Sequence, residues 1–298
     1  MDYYNNIKNE LINNEITKRI KDYSKNKSDL ETYYKVGKLL SDAGKHYGDG
    51  IIKQYSIKLR NDVGVKYNER TLRRYRQFYL LFNEKWSQIA TKLSWSHYVE
   101  LLPLKDINKI NYYINLCISN NLSRNDLRQR IKNKEYERLD EDTKNKLINK
   151  EEVVVTDFVK DPIIIKNSSN YEIISEKVLQ KLILEDISNF MKELGSGFCF
   201  IDNEFKLKIG DSYNYIDLLL FNYIYNCFVV IELKVTELRK EHIGQIETYM
   251  NYVDKNIKSL TQGKTIGIII VKKDNKFIME YCSDNRIISR EFKITNNW

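Results

Sequence analysis

The spacing of apolar side chains changes once along this chain of 298 residues. From residue 1 to about residue 132, apolar positions recur every three or four residues between breaks at Gly, Asn and Ser, which predicts short helices in helix-turn-helix units. The segments are YYKVGKLL, IIKQYSIKLRNDV, ERTLRRYRQFYLLF, SWSHYVELL and NDLRQRIKNKEYERL. We therefore expect an all-α N-terminal half.

The C-terminal half has a different pattern. SEKVLQKLILEDISNFMKELG predicts one amphipathic helix that ends at Gly195, and EHIGQIETYMNYVD predicts a second helix. Short apolar runs predict strands: GFCFIDNEFKL, YIDLLLF, CFVVIELKV, TIGIIIV and FIMEYC. These elements together predict an α/β or α+β domain.

A charged stretch separates the two halves. Residues 132–152 lack apolar runs and predict a solvated helix or linker. We place the domain boundary near residue 150, which gives domains at 1–150 and 151–298. The chain length agrees with two domains of roughly 150 residues each.

Charge is distributed unevenly between these halves. Residues 1–150 contain 30 Lys and Arg against 19 Asp and Glu, whereas residues 151–298 contain 19 against 22. A domain that basic attracts polyanions, of which nucleic acid is the commonest. The alternative is an A+T-rich genome that enriches Lys without a binding role, but such a bias should make both halves basic.

The densest positive charge lies on a helix predicted from Asn68 to Phe82. Asn68 is its expected N-cap, and Leu72, Tyr75, Tyr79 and Phe82 form its expected apolar stripe. Its remaining faces carry four arginines, which are candidate DNA-binding residues: Arg70, Arg73, Arg74 and Arg76. A solvated arginine surface with no ligand is the alternative.

Composition excludes several other classes. No segment approaches the ~18 consecutive apolar residues of a membrane span, and the start lacks a signal-peptide core, so we expect a cytoplasmic protein with no membrane partner. The four cysteines and three histidines are too dispersed for a zinc site or a disulfide framework. A metal would therefore need oxygen ligands.

Candidate chemistry lies in the runs YIDLLLF and CFVVIELKV, which residues 222–226 connect closely enough to require an antiparallel hairpin. A turn centred between Ile224 and Tyr225 places Asp217 opposite Glu232, with Cβ atoms roughly 4.5 to 5.5 Å apart. Like charges in these positions destabilise a sheet, and a cation between them removes the repulsion.

Lys234 follows Glu232 by two residues and is expected on the same face of the strand. Two carboxylates suit Mg²⁺, with Mn²⁺ as a substitute, and the lysine can orient a water or offset negative charge. The pattern predicts metal-assisted hydrolysis of a phosphodiester. The acid-x-Lys pattern occurs five times in the chain, and a buried ion pair without catalytic function is the alternative.

Three further residues are candidates for the same site. Glu176 begins the first helix of the C-terminal half and is a candidate third metal ligand, although the helix dipole alone also explains an acid there. Gln245 and Tyr249 lie one turn apart on the second helix, where they could contact substrate or Lys234. Ordinary surface polarity with a half-buried tyrosine is the alternative for this pair.

The segment from SEKVLQKLILEDISNFMKELG to EHIGQIETYMNYVD resembles the YhcG family of PD-(D/E)xK nucleases. YYKVGKLL, the arginine-rich helix, LSWSHYVELL and NNLSRNDLRQRIKNKEYERL resemble that family's helical, winged-helix-like N-terminal domain. The resemblance extends from about residue 31 to about residue 256.

The resemblance implies a restriction-endonuclease-like core with a mixed central sheet and Mg²⁺-dependent cleavage of DNA in restriction, defence or recombination. Asp217, Glu232 and Lys234 match the motif, Glu176 matches a helical acid, and Gln245 with Tyr249 match the family's GQ and Y positions. Gln180 stands where the family often has Glu, so the identity of a metal-binding acid on this helix stays open. Tyr47 and Leu122 replace common tryptophans of the helical half.

Partners and competing functions follow from the same reasoning. Besides DNA, we expect subunits of a restriction or defence system as partners, and two-fold symmetry suits a homodimer that cuts both strands of a duplex. A catalytically silent DNA-binding or assembly subunit that keeps the nuclease fold is the competing function. RNA as substrate is a third reading, because charge alone does not distinguish the two nucleic acids.

Overall fold

Helices form every regular element in the described part of the first unit, Met1–Asn133; the computed structural model describes residues 2–20, 25–82 and 93–296. The α-helices are α1 (Tyr3–Ile20), α2 (Lys25–Tyr47), α3 (Ile51–Asp62), α4 (Glu69–Phe82), α5 (Trp95–Leu101), α6 (Ile107–Asn120) and α7 (Arg124–Lys132). The prediction of a helical N-terminal half is therefore confirmed for these residues.

Helix α4 begins and packs nearly as its sequence predicts. The Asn68 side chain accepts the Thr71 backbone N–H at 3.0 Å, which confirms the N-cap. Phe78, rather than Tyr79, belongs to the buried stripe: Leu72, Tyr75, Phe78 and Phe82. Gly37 allows α2 to approach α4 closely, because a Cβ at this position would lie 2.2 Å from the Tyr75 carbonyl oxygen.

The winged-helix character of the N-terminal half is not confirmed. A wing is a β-hairpin, and residues 2–20, 25–82 and 93–133 contain no strand. The physical reason lies in the sequence spacing, since apolar residues in these segments recur at helical rather than alternating positions.

The second unit, Lys134–Trp298, is built on one six-stranded sheet. Its strands are β1 (Ile163–Lys166), β2 (Phe198–Ile209), β3 (Ser212–Asn222), β4 (Cys227–Glu237), β5 (Ile266–Lys273) and β6 (Ile287–Thr295). Their order is β1-β6-β5-β4-β3-β2. Strands β2, β3 and β4 pair antiparallel, whereas the β4–β5, β5–β6 and β6–β1 pairs are parallel, which confirms the mixed central sheet.

Helices cover both faces of this sheet. Its α-helices are α8 (Glu141–Asn149), α9 (Glu176–Glu185), α10 (Ile187–Leu194), α11 (Lys240–Asn256) and α12 (Lys276–Glu280). Apolar residues of α9 and α10 pack on one face with Leu218 and Ile231, and residues of α11 pack on the other with Leu219 and Val230. Alternating residues of the central strands therefore enter two separate cores.

The two units divide after Asn133 instead of near residue 150. The expected linker belongs to the second unit, because Arg138 forms a buried ion pair with Glu193 and the Thr143 hydroxyl donates to the Asp157 carbonyl at 3.1 Å. Helix α8 therefore packs as part of this unit despite its charged sequence.

Two other elements differ from their predictions. The single helix expected to end at Gly195 is broken at Asp186, whose carboxylate accepts from the Asn189 side chain and whose backbone leaves the helical region. FIMEYC forms helix α12 instead of a strand, because the Asn275 side chain caps it by accepting the Ile278 N–H at 3.4 Å. The last strand is β6, which the pattern did not indicate.

Among the described residues, no helix is both long enough and apolar enough to span a membrane.

Candidate functional site

The candidate site lies where β3 and β4 separate. The pairing runs from Asn222 opposite Cys227 to Leu218 opposite Ile231, which confirms the predicted hairpin register. It ends one residue before Asp217, whose Oδ2 accepts the backbone N–H of Leu233 at 2.7 Å. The Asp217 carboxylate thus takes the place of a backbone acceptor at the point where the β3–β4 pairing ends, and this bond holds Asp217 beside β4.

Glu232 is a buried acid in a central strand. It is 1% exposed and pairs with Ile269 of the parallel strand β5. Burial and then the charge of Asp217 raise the pKa of Glu232 to about 8. Its Oε1 has no hydrogen-bond partner, although buried polar atoms are rarely left unpaired in folded proteins.

Lys234 supplies the positive charge of the site. Its Nζ lies 3.4 Å from Oε2 of Glu232 and 4.0 Å from Oε2 of Glu176. Burial lowers the pKa of Lys234, but the carboxylates of Glu232, Glu176 and Asp217 outweigh this effect and the net shift is upward. The side chain therefore stays protonated among the acids.

Asp217 also has a perturbed pKa. Burial raises the pKa of this carboxyl, while the N–H of Leu233 and the charge of Lys234 oppose the shift. The charges of Glu176 and Glu204 add to the upward shift. The site thus gathers acids in a place where solvent screens charge poorly, and a bound cation would favour their ionised forms.

Helix α9 approaches the site with its first turns. Ser175 caps the helix by accepting the Val178 N–H at 3.2 Å, and Glu176 follows with a half-exposed side chain. Gln180 is buried, and its Nε2 donates to the backbone carbonyl of Asp217 at 3.0 Å. The amide at this position therefore holds the Asp217 backbone instead of offering a carboxylate.

Helix α11 brings Gln245 and Tyr249 to the other side of the same residues. The Gln245 amide donates to the Tyr249 hydroxyl at 3.1 Å. Burial raises the pKa of Tyr249, and the charges of Glu232 and Lys234 also reach it. Tyr249 is only 5% exposed, so its ring is largely buried, and its contact with DNA stays a prediction.

Two residues near the site were missed in the sequence. Glu204 stands opposite Asp217 in the β2–β3 register, where the ladder omits a pair and Glu204 has φ +49°. His242 accepts the Arg239 N–H at 3.1 Å, and burial followed by the charge of Lys234 lowers its pKa. Only a correct alignment of β2 with β3 could have indicated Glu204, and nothing in the spacing indicated His242.

The acids fit a hard divalent cation only in part. The favourable observations are two carboxylates on adjacent strands and the unpaired buried Oε1 of Glu232. The described residues contain no group of three or more His, Cys, Asp or Glu side chains that could hold a metal. This absence argues against a larger set of protein ligands. Glu176 approaches the ammonium of Lys234 and is not part of such a group.

The first unit holds a separate basic groove along α4. Arg70, Arg73 and Arg74 line it together with Glu69 and Gln77. Arg73 forms an ion pair with Glu69 at 2.7 Å. Burial, and then the charge of Arg70, lowers the pKa of Arg74. Three of the four predicted arginines therefore share one surface.

Arg76 lies apart from that groove. Its guanidinium pairs with Asp49 and packs beside Gly44, and its Nε is buried without a partner. The prediction missed two other arginines, Arg124 and Arg128 of α7, which Glu100 holds at 2.6 and 2.8 Å. The charge of Arg124 reaches Arg74, so α7 extends the basic surface.

A mixed sheet with an acid on one strand and an acid-x-lysine sequence on the next is the arrangement of a PD-(D/E)xK nuclease domain. Residues 156–295 match the family described as YhcG PDDEXK nuclease domain, and residues 9–138 match the DUF1016 N-terminal domain. The second unit therefore belongs to the YhcG family of PD-(D/E)xK nuclease domains, and the first unit belongs to the DUF1016 N-terminal domain family.

Individual proteins similar to this chain were also found. The YhcG protein of Escherichia coli (strain K12) is 22% identical over 309 aligned positions, which cover 88% of this chain and 82% of that protein. A repair endonuclease from Pyrococcus abyssi is similar over 42% of this chain and 48% of its own, with 20% identity and a TM-score of 0.29. A complex of EndoMS with dsDNA2 matches over the same shares, with 21% identity and a TM-score of 0.28. The chain spans about half the length of these two solved proteins.

Proposed function

We propose that this protein is a metal-dependent DNA endonuclease that hydrolyses phosphodiester bonds. The observation that carries the proposal is the site at the separation of β3 and β4. There, Asp217 and Glu232 lie on adjacent strands, Glu232 keeps an unpaired buried oxygen, and Lys234 lies 3.4 Å from Glu232. Two buried acids that share a single lysine are costly to the fold, which supports a functional reason for keeping them.

Each residue has a distinct part in this proposal. Asp217 and Glu232 would hold Mg²⁺, or Mn²⁺ in its place, with Glu176 as a further candidate ligand. The bound ion would supply a nucleophilic water at neutral pH and would neutralise charge on the phosphate. Lys234, which stays protonated, is placed to stabilise negative charge on the phosphate oxygens. Gln245, which donates a hydrogen bond to Tyr249, would hydrogen-bond to the substrate.

The first unit supplies the grip on DNA in this proposal. Arg70, Arg73 and Arg74 share the groove along α4, and guanidinium groups bind phosphate oxygens in a bidentate manner. Arg76 is also a candidate, but it does not line this groove, which gives it a weaker claim than the other three. Arg124 and Arg128 extend the same surface.

Cleavage of plasmid DNA tests the proposal. Purified protein with supercoiled plasmid and Mg²⁺ or Mn²⁺ should produce nicked or linear DNA, and EDTA should abolish the products. Lys234→Ala should lower the rate by at least about a hundredfold, because one electrostatic stabiliser is removed. Lys293→Ala is the matched control, since Lys293 belongs to another acid-x-Lys sequence and is exposed. Equal cleavage by Lys234→Ala and wild type would contradict the proposed site.

A catalytically silent DNA-binding subunit is the second candidate. The observation that favours it is the absence of a three-acid metal group among the described residues. Titration calorimetry separates the two: Mg²⁺ or Mn²⁺ binding that is lost in Asp217→Asn supports the nuclease, and no binding to wild type supports the silent subunit.

Biological role and assembly form a further part of the proposal. We expect the protein to act in restriction, defence or recombination, together with partner subunits and as a homodimer. Mass photometry at working concentration tests the dimer directly. Phage plating on cells with wild-type or Lys234→Ala protein tests defence, and equal plating efficiencies would contradict that role.

A further inference from the structure

A hairpin arm extends from the candidate site. We give this name to residues 205–216, in which β2 and β3 continue to pair after β3 has separated from β4. Its ladder runs from Phe205 opposite Ile216 to Ile209 opposite Ser212. The arm begins immediately beyond Asp217, so whatever it binds lies close to the acids.

The two faces of the hairpin arm differ in character. Leu207 and Ile216 are fully buried in the core beneath α11. On the opposite face, Tyr213 is 55% exposed and Tyr215 is 50% exposed. Folding therefore buries one side of the arm and leaves two tyrosine rings in solvent on the other.

Two lysines share the exposed face with these rings. Lys206 stands opposite Tyr215 in the register, and Lys208 stands opposite Tyr213. Opposite residues of an antiparallel pair project from the same face, and both lysines are exposed. The Nζ of Lys206 lies 3.8 Å from the ring centroid of Tyr213, so a positive charge sits directly on this aromatic surface.

We propose that the hairpin arm binds unpaired nucleotides of the nucleic-acid substrate next to the cleaved phosphate, an inference that rests on the proposed function. Exposed aromatic rings stack on bases, and neighbouring lysines attract the phosphates between them. Bases inside a duplex already stack on one another, so only an unpaired base offers its face to a ring. Tyr215 precedes Asp217 by two residues, a separation of about 7 Å along a strand.

The hairpin arm gives the protein a preferred class of substrate. A nuclease with only the arginine groove and the acids would treat a blunt duplex and a duplex with a single-stranded end alike. With the arm, it prefers a junction between paired and unpaired nucleotides. A pair of tyrosines that only stabilises the hairpin would give no such preference.

Binding in EDTA tests the arm apart from cleavage. Full-length protein is titrated into a fluorescent blunt duplex and into the same duplex with a single-stranded overhang that contains 2-aminopurine. The double variant Tyr213→Ala/Tyr215→Ala should lose about tenfold in affinity for the overhang probe and should no longer quench 2-aminopurine. Its affinity for the blunt duplex should stay unchanged.

Matched variants control for folding and for aromatic exposure. Tyr223→Ala removes a tyrosine that is 65% exposed at the other end of β3, and it should bind both probes like wild type. Tyr213→Phe/Tyr215→Phe keeps the rings and should restore overhang binding. Overhangs of DNA and of RNA distinguish the two sources of an unpaired strand.

Two results would overturn the inference. One is wild-type overhang binding by the Ala double variant, and the other is an equal loss for both probes. The proposed function is judged separately, because wild-type protein that shows arm-dependent binding but never cleaves with metal would contradict catalysis and leave the arm standing. Metal-dependent cleavage by wild type, with no effect of the tyrosine variants on binding, would support catalysis and contradict the role of the arm.

Discussion

Glu232→Gln should stabilise the metal-free protein at alkaline pH. Glu232 is buried beside Asp217, and its pKa is about 8 against an ordinary value of 4.5. Because the folded state holds the proton more tightly than the unfolded state, the stabilisation is fully present below about pH 4.5 and is lost as pH rises through about 8. Glutamine cannot ionise, so the variant avoids this loss.

The size of the effect follows from the same shift. About 3.5 pH units correspond to about 5 kcal/mol when Glu232 is fully ionised in the fold. Lys234 loses a charged partner in the variant, which offsets part of the gain. We therefore expect a net gain of about 2 kcal/mol above pH 8, or about 4 to 8 °C in the melting temperature of a unit of this size.

Calorimetric melting in EDTA at acidic and alkaline pH measures this difference. Glu237→Gln is the control, because Glu237 lies on the same strand but is exposed and pairs with Lys273 at 3.1 Å. The melting temperatures of wild type and Glu232→Gln should agree near about pH 5 and separate as pH rises. If Glu232→Gln is no more stable than wild type above pH 8, the reasoning about a buried, repelled carboxylate is refuted.

Four further predictions concern metal, packing and DNA. Mg²⁺ should raise the melting temperature of wild type but not of Asp217→Asn, and equal shifts in differential scanning fluorimetry would place the ion elsewhere. Glu193→Ala should destabilise the second unit by about 3 to 5 kcal/mol in urea unfolding, because it removes the carboxylate that pairs with the buried Arg138; a loss below about 1 kcal/mol would argue against that pair. Gly37→Ala should lower the melting temperature of the first unit, whereas Gly64→Ala, with open space around its Cβ, should not. Arg70→Ala should reduce the salt dependence of DNA binding by about one counterion, and an unchanged slope in fluorescence anisotropy would exclude Arg70 from phosphate contact.

Most of the hairpin could be predicted from the sequence because the connection is short, and strand alternation gives the register once the centre of the turn is chosen. YIDLLLF and CFVVIELKV are apolar on both faces except at Asp217, Glu232 and Lys234, so the acids stand out against their surroundings. The separation of β3 from β4 was not predictable in this way. It depends on the Asp217 carboxylate taking the N–H of Leu233, which is a tertiary contact and not a pattern.

Elements with mixed polarity were harder to predict. Strand β6 reads IISREFKIT, whose polar residues hide its alternation, and FIMEYC is apolar enough to suggest a strand although Asn275 caps it as a helix. The expected linker was hidden for a related reason, because Arg138 is charged in sequence but buried against Glu193 in the fold. Partners distant in the chain decided the strand and the linker, whereas a neighbouring cap decided the helix.

The basic helix shows the same limit on the scale of single residues. Its four arginines look equivalent in sequence, yet Asp49 takes Arg76 away from the groove that the other three line. Asp49 lies 27 positions earlier, and no local spacing connects the two residues. Helical periodicity gives the direction of a side chain, whereas its ion-pair partner comes from tertiary packing.

Anomalous diffraction from crystals soaked in Mn²⁺ tests the central claim most directly, because it asks whether Asp217 and Glu232 share an ion. The account predicts one strong anomalous peak within coordination distance of a carboxylate oxygen from each residue, including the unpaired Oε1 of Glu232. A map without a peak between these carboxylates, with Lys234 alone balancing their charge, would contradict a metal-dependent nuclease site.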